Sequence, residues 1–158
     1  MKTTFFTKSP LIRAALLLCF LGTARAFLVA QTTAMEIEAL LETRAVTYAQ
    51  AARFLLDASE AASIEDPVWA FRFAEERNWL PKNVQPGDAA RLDGVSLLLM
   101  KSFGLKGGLM YSLTGTAHFA YRELVYQDII QGRVDPGMTV TGDTLLFITG
   151  RTLSLLEN

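Results

Sequence analysis

Cysteine and histidine are almost absent from this chain of 158 residues, which contains only Cys19 and His118. A single cysteine excludes an intramolecular disulfide framework, and one cysteine with one histidine supplies too few ligands for a structural zinc site. No motif offers His118 the partners of a hydrolytic triad. We therefore predict a protein without enzymatic activity or cofactor, whose fold depends on apolar packing.

Basic residues are also too few for a nucleic-acid-binding protein. The chain has 15 Lys and Arg against 16 Asp and Glu, a formal net charge of -1. Four of the basic residues precede residue 27 and all 16 acids follow it, so the remainder carries 11 basic and 16 acidic residues, a net charge of -5. Nucleic-acid partners require a basic patch or stripe. We predict no such partner.

The first 26 residues have the layout of a secretory signal peptide. A basic start is followed by the apolar run Ala14–Gly22 and by the small-residue site Ala24-Arg25-Ala26. The run is shorter than the roughly 20 apolar residues that span a bilayer. We predict cleavage after Ala26, with Ala30 as the alternative, and an exported domain at 27–158, in the periplasm or at the cell surface. No integral membrane span is expected after cleavage.

The remainder of the chain repeats itself at an offset of fifty residues. The segment VWAFRFAEERNWLPKNVQPG, from Val68, aligns without a gap with HFAYRELVYQDIIQGRVDPG, from His118. The match continues beyond the shared V-x-P-G loop to Asp93 and Asp143. Self-similarity at a fixed period is typical of arrays of small supersecondary units.

Each copy is predicted to be a helix, a loop and a second helix. The first helix begins after Asp66 in one copy and after Thr116 in the other, where a side-chain oxygen can accept from a free amide of the first turn. The second helix of the earlier copy ends at Gly104. Its apolar residues have amphipathic spacing, namely Leu92, Val95, Leu99 and Phe103.

A third unit precedes these two and is shorter. Thr47 and Gln50 form a predicted capping box at the start of the helix TYAQAARFLLDAS, and residues 33–43 are expected to supply an earlier helix. The repeats then cover about 33–62, 66–105 and 116–156. The segment 138–156 is rich in β-branched residues, so a hairpin turning at Gly142-Asp143 stays open beside the helix that the alignment favours. GLKGGLM, from Gly104, is interpreted as a linker.

Three short motifs recur in these units. His118-Phe119-Ala120-Tyr121 has its counterpart in Val68-Trp69-Ala70-Phe71, and Ile129-Ile130-Gln131-Gly132 forms a glycine-bearing loop. The second helices open at Val46-Thr47-Tyr48-Ala49-Gln50, Ala89-Ala90-Arg91-Leu92-Asp93 and Thr139-Val140-Thr141-Gly142-Asp143. Over about residues 33–156 the chain resembles the S-layer homology (SLH) domain family, with its HWAY-type helix, G-I-I-x-G loop and T-R-A-E-like box.

The resemblance implies an all-α fold, a pseudo-threefold bundle of short helix-loop-helix repeats. In the family, grooves between repeats hold an anionic cell-wall glycan, and the box arginine contacts its acidic group. Arg91 is the arginine that the resemblance places there, while Tyr48 and Thr141 occupy that position in the other copies.

The candidate binding residues combine cations with aromatic rings. Arg91 can grip an acidic group through two parallel hydrogen bonds, Asp93 lies beside it in the sequence, and Arg133 follows the glycine loop. Trp79 and Tyr121 are candidates for stacking on sugar rings. By contrast, we expect Trp69 and Phe119 in the core because large aromatic side chains dominate the burial energy of small domains.

Two functions remain open on these observations. One is a non-catalytic envelope protein that binds a cell-wall glycan, peptidoglycan or an associated acidic polymer. The other is a periplasmic scaffold or adaptor that holds another envelope protein in the same grooves. The substitution of the box arginine in two copies favours the second.

Overall fold

The structure is a computed structural model that describes residues 35–132 and 134–157, and within them the fold is all-α. Helix α1 includes residues 35–41. The other helices are α2 (Tyr48–Ala58), α3 (Pro67–Glu76), α4 (Leu92–Ser102), α5 (Leu109–Thr114), α6 (Ala117–Tyr126) and α7 (Gly142–Leu156). The predicted signal peptide and both cleavage positions lie outside the described residues.

The predicted start signals determine where the helices begin. Thr47 and Gln50 form the capping box of α2, since the Thr47 Oγ1 accepts from the Gln50 amide at 3.2 Å and the Gln50 Oε1 accepts from the Thr47 amide at 2.9 Å. Asp66 caps α3 by accepting from the Trp69 amide at 2.9 Å. Thr116 holds the capping position of α6 but makes no side-chain capping bond. The predicted bond at Thr116 is therefore wrong, although the predicted boundary is confirmed.

The end of the segment 138–156, for which the sequence allows a hairpin or a helix, is helical. Helix α7 runs from Gly142 to Leu156, and the Thr141 hydroxyl caps it by accepting from the Thr144 amide at 3.2 Å. Buried threonines inside the helix donate their hydroxyls to the carbonyl four residues earlier, as Thr149 does to Leu145 at 2.7 Å. These bonds satisfy polar groups that a helix interior would otherwise leave unpaired.

Helix α4 lies at the centre of the core. It is buried on nearly all sides, because it packs against both α2 and α6. Helix α3 packs on α2, α5 packs on α6, and α7 contacts α2. The predicted stripe of α4 is confirmed at Leu92, Val95 and Leu99, but Leu97, Leu98 and Met100 are buried as well. A helix that is apolar all round is typical of a position enclosed by other elements.

Three buried backbone segments meet in a closed ring of hydrogen bonds. The Val46 amide donates to the Val140 carbonyl at 2.9 Å, Val140 donates to Ala90 at 2.9 Å, and Ala90 donates to Val46 at 2.7 Å. All three residues are fully buried. Each one lies two residues before a helix, α2, α4 or α7. The ring therefore joins the starts of the three helices.

Further backbone bonds extend each contact of the ring. Helix α2 begins against the loop before α4, where the Tyr48 amide donates to the Asp88 carbonyl at 3.0 Å. Helix α4 begins in the same way against the loop before α7, where the Leu92 amide donates to Met138 at 3.0 Å. At the start of α7, the Gly142 amide donates to Thr43 at 2.9 Å. The short antiparallel bridges Thr47–Ala89 and Arg91–Thr139 belong to these junctions.

Trp69 is not a core residue, which contradicts its predicted burial. It is 63% exposed, whereas Phe119 is half-buried and packs against the core. The reason is that α3 buries one narrow stripe, Ala70, Phe71 and Ala74, and Trp69 lies beside that stripe. The two positions share one contact in spite of this difference, since each ring has an arginine guanidinium three residues later within 6 Å.

The chain from Leu40 onward forms one compact unit, and residues 35–39 are grouped apart from it. The buried apolar side chains of the described residues extend from Val46 to Ile148. None of the described helices is both long enough and apolar enough to cross a bilayer.

Candidate functional site

Arg91 occupies the junction between α4 and the loop before α7. It is the N-cap residue of α4 and pairs with Thr139 in an antiparallel bridge. Its side chain is 58% exposed. A methyl group added at Gly137 would lie 3.4 Å from the Arg91 Nη2 atom, so the guanidinium rests against the backbone of that loop. The arginine therefore presents its charge to solvent at a seam between two parts of the chain.

Asp93 is the ion-pair partner of Arg91. Its Oδ2 atom lies 3.2 Å from the Arg91 Nη2 atom, and its Oδ1 atom accepts from the Gly94 amide at 2.8 Å. The carboxylate is mostly covered, with 20% of the side chain exposed. It therefore holds one edge of the guanidinium by a charge-assisted bond. An exposed pair of this kind contributes at most about 1 kcal/mol to stability.

Tyr48 supports this junction from the buried side. Its hydroxyl accepts from the Arg91 amide at 3.3 Å, and its ring is buried. Gly94 makes room for it, since a methyl group at that position would lie 2.4 Å from the Tyr48 hydroxyl. The resemblance to the SLH family predicts Tyr48 as a replacement for a ligand-binding arginine. In the structure it is a buried residue that orients the start of α4.

Burial raises the pKa of the Tyr48 hydroxyl, and this effect exceeds the lowering that results from the Arg91 amide bond. The folded protein therefore keeps this proton at pH values where the unfolded chain has lost it. Between the ordinary tyrosine pKa and the raised one, the free energy of unfolding must fall as pH rises. The contribution of Tyr48 is fully present below about pH 10.

We expect the free energy of unfolding to fall less in the Tyr48→Phe variant than in the parent when the pH is raised from about 8 to about 10.5. Urea unfolding at both pH values measures the difference. At the lower pH the variant should be less stable by about 1 kcal/mol, because the Arg91 amide loses its acceptor. Tyr126→Phe is the control, since Tyr126 is 85% exposed. An equal fall in the free energy of unfolding with rising pH in Tyr48→Phe and in the parent would contradict the prediction.

The two aromatic candidates lie elsewhere. Trp79 is half-buried, and its ring meets that of Phe73 edge to face at 6.1 Å between centroids. Tyr121 is half-buried and donates its hydroxyl to the Val134 carbonyl. Within residues 35–132 and 134–157, no hydrogen bond, ion pair or ring contact joins either residue to Arg91. The structure thus brings Arg91 and Asp93 together and gives Trp79 and Tyr121 packing partners of their own.

Arg133 lies outside the described residues, so its predicted role has no structural counterpart here. His118 is exposed in the first turn of α6, with its ring edge against Phe119 at 5.4 Å. No group of three or more His, Cys, Asp or Glu side chains that could hold a metal ion occurs in the part of the chain that the structure describes.

The first of the three second helices differs by one residue from the predicted alignment, which matched Tyr48 with Arg91 and Thr141. The ring aligns Val46 with Ala90 and Val140. Thr47, Arg91 and Thr141 are then equivalent, and each is the N-cap of its helix. Arg91 therefore stands where a T-R-A-E-like box has its threonine. The residues that follow these caps, where such a box has its arginine, are Tyr48, Leu92 and Gly142.

Sequence reasoning missed an exposed aromatic and cationic pair on α3. The Arg72 guanidinium carbon lies 5.1 Å from the centroid of the Trp69 ring, and both side chains are exposed. The pair was detectable, because residues three apart share a helix face. An arginine at that spacing indicates that the face reaches solvent. A flat ring beside a guanidinium has the chemistry to bind a sugar that carries an acidic group.

Comparison of the chain with protein-family models, with curated proteins and with solved structures gives no match.

Proposed function

We propose that this protein is a non-catalytic binding module of the cell envelope, built from three SLH-like repeats in a pseudo-threefold bundle. The ring of hydrogen bonds between Val46, Ala90 and Val140 supports this arrangement, because each residue has the same place before a helix. The fifty-residue offset supports it too. Helices α3 and α6 begin at Pro67 and Ala117, and α4 and α7 begin at Leu92 and Gly142.

The proposed ligand is an acidic cell-wall glycan, peptidoglycan or an associated polymer, bound by the exported protein in the periplasm or at the cell surface. The observation that carries this proposal is the half-exposed guanidinium of Arg91 at an inter-repeat seam. One edge is held by Asp93. The open edge can donate two parallel hydrogen bonds to a carboxylate or phosphate.

Cosedimentation of the purified protein with isolated sacculi tests the proposal. We expect the protein to pellet with the sacculi and Arg91→Ala to bind about tenfold more weakly or worse, as for the loss of a charge-assisted hydrogen bond. Arg122→Ala is the matched control, because it also removes one exposed guanidinium but leaves the seam intact. Equal losses in both variants would indicate attraction by net charge and would contradict a site at Arg91.

The second candidate is a scaffold or adaptor that binds another envelope protein. The one-residue register difference favours it, because Tyr48, Leu92 and Gly142 leave the arginine position of the box without a cation. A folded protein that does not pellet with sacculi, while its thermal transition stays cooperative, would favour the adaptor over the glycan module.

A further inference from the structure

Helix α5 is an addition to the two-helix pattern. The connection between α2 and α3 covers residues 59–66, whereas that between α4 and α6 covers 103–116 and is six residues longer. Helix α5 has six residues. The connections from α3 to α4 and from α6 to α7 have equal lengths, 77–91 and 127–141. The extra length is thus confined to the segment that forms α5.

Helix α5 presents most of its apolar side chains to solvent. Leu109 is 77% exposed, Met110 53% and Leu113 78%. Tyr111 alone among the large side chains of this helix is buried. Because it anchors the helix, the leucines cannot rotate inward without exposing its ring. Their exposure therefore adds no burial energy to the fold of the isolated chain.

Local hydrogen bonds hold α5 in this orientation. Gly115, in the left-handed conformation with φ +58°, ends the helix and donates its amide to the Tyr111 carbonyl at 2.7 Å. The Lys106 carbonyl accepts from the Gln127 side chain of α6 at 3.2 Å. The close approach of the Tyr111 ring requires glycine at position 107, where an added methyl group would lie 2.4 Å from a ring carbon.

The stretch of sequence that contains α5 has the opposite net charge to the rest of the protein. No Asp or Glu occurs between Gly94 and Arg122, although the chain has 16. That interval contains Lys101 and Lys106, in addition to Arg122 itself. Lys106 is exposed, and the Lys101 ammonium lies 5.6 Å from the centre of the Tyr111 ring. Glu123 approaches Gly108 at the amino end of α5, which leaves the neighbourhood with a net positive charge.

We propose that α5 is a membrane-docking element that places Leu109, Met110 and Leu113 into the interface of an anionic lipid bilayer, with Lys101 and Lys106 close to the headgroups. Interfacial helices bury an apolar face about 5–10 Å deep and combine it with basic residues. A helix of six residues with three exposed apolar side chains fits that depth. It is too small for a stable protein interface, which requires about 800 Å² from each partner.

This inference does not depend on glycan binding. Sacculi and lipid vesicles are separate ligands, and the Arg91 seam is a different set of residues. The vesicle experiment and the sacculus experiment can therefore fail independently.

Sedimentation with vesicles tests the proposal, using vesicles of equal parts phosphatidylglycerol and phosphatidylcholine beside phosphatidylcholine alone. The full chain and the chain from Phe27 are both measured, because the apolar run at residues 14–22 would itself bind lipid. The shorter chain retains every buried core residue that the structure describes. We expect the chain from Phe27 to bind anionic vesicles more tightly than neutral ones, and to release them as salt increases.

The double variant Leu109→Ser with Leu113→Ser should bind anionic vesicles at least about tenfold more weakly, since each leucine loses its burial in lipid. Lys101→Gln with Lys106→Gln should reduce the difference between anionic and neutral vesicles. The matched control is Leu155→Ser with Leu156→Ser, which replaces two exposed leucines at the end of α7 and should leave binding unchanged.

Three outcomes would overturn the proposal. One is that the chain from Phe27 binds no vesicles, and another is that the α5 variant binds them as tightly as its parent. The third is an equal loss in the α7 control. Circular dichroism of each variant shows that it is folded, and all four leucines are at least 45% exposed, so their replacement leaves the core intact.

Discussion

Replacing Gly142 with alanine is expected to lower the free energy of unfolding by about 3 kcal/mol. The Leu40 carbonyl lies directly against Gly142, and a methyl group added there would be 1.6 Å from that oxygen. Neither side can yield easily, because the Leu40 carbonyl accepts from the Thr43 amide at 2.9 Å and the Thr43 carbonyl accepts from the Gly142 amide at 2.9 Å. Chemical denaturation of both proteins measures the loss.

Gly150 supplies the matched control for this substitution. It lies in the same helix, and no atom lies within 4 Å of a methyl group added there. Gly150→Ala should therefore raise the free energy of unfolding by about 1 kcal/mol, because glycine is the poorer helix former. The two substitutions are chemically identical and have opposite expected signs. If Gly142→Ala were neutral or stabilising, the close approach of the Leu40 carbonyl would be wrong.

Replacing Leu98 with alanine is expected to lower the free energy of unfolding by about 2–5 kcal/mol. Leu98 is fully buried on α4, the helix that packs against both α2 and α6. Since α4 is enclosed by two other helices, the cavity cannot close by the movement of either one alone. The loss is a large part of the roughly 5–15 kcal/mol that stabilises a typical domain.

Leu113→Ala serves as the control for Leu98→Ala. Leu113 is 78% exposed on α5, so its truncation should change stability by no more than about 0.5 kcal/mol. Urea denaturation followed by circular dichroism compares the two variants. Similar effects at both positions would mean that the described core does not determine stability.

The sequence contained most of the local information about the helices. The capping box at Thr47 and the acidic cap at Asp66 marked helix starts that the structure confirms. The fifty-residue alignment predicted helix for 142–156 in spite of its threonines. Each of these predictions rests on interactions between residues close together in the chain. Such interactions are readable without knowledge of packing.

The predictions that failed depended on contacts between distant segments. Burial of Trp69 was inferred from its size, but its exposure depends on which stripe of α3 faces α2. The alignment of Tyr48 with Arg91 and Thr141 was inferred from the sequence alone, whereas in the structure Thr47 is the residue that caps its helix as Arg91 and Thr141 cap theirs. Helix α5 was missed because GLKGGLM has glycines at the positions that precede the helix. The leucines of α5 are exposed, so they do not show the spacing of apolar residues that marks a buried helix face.

The ring of hydrogen bonds has a consequence for how the polypeptide acquires its structure. Val46 and Val140 are 94 positions apart, yet the buried Val46 amide donates to the Val140 carbonyl. A nascent chain that has emerged only as far as α6 has two of the three ring segments and leaves the Val46 amide without its acceptor. The ring can therefore close only after residue 140 has been synthesised, and we expect its rate to be limited by the search for this non-local pairing.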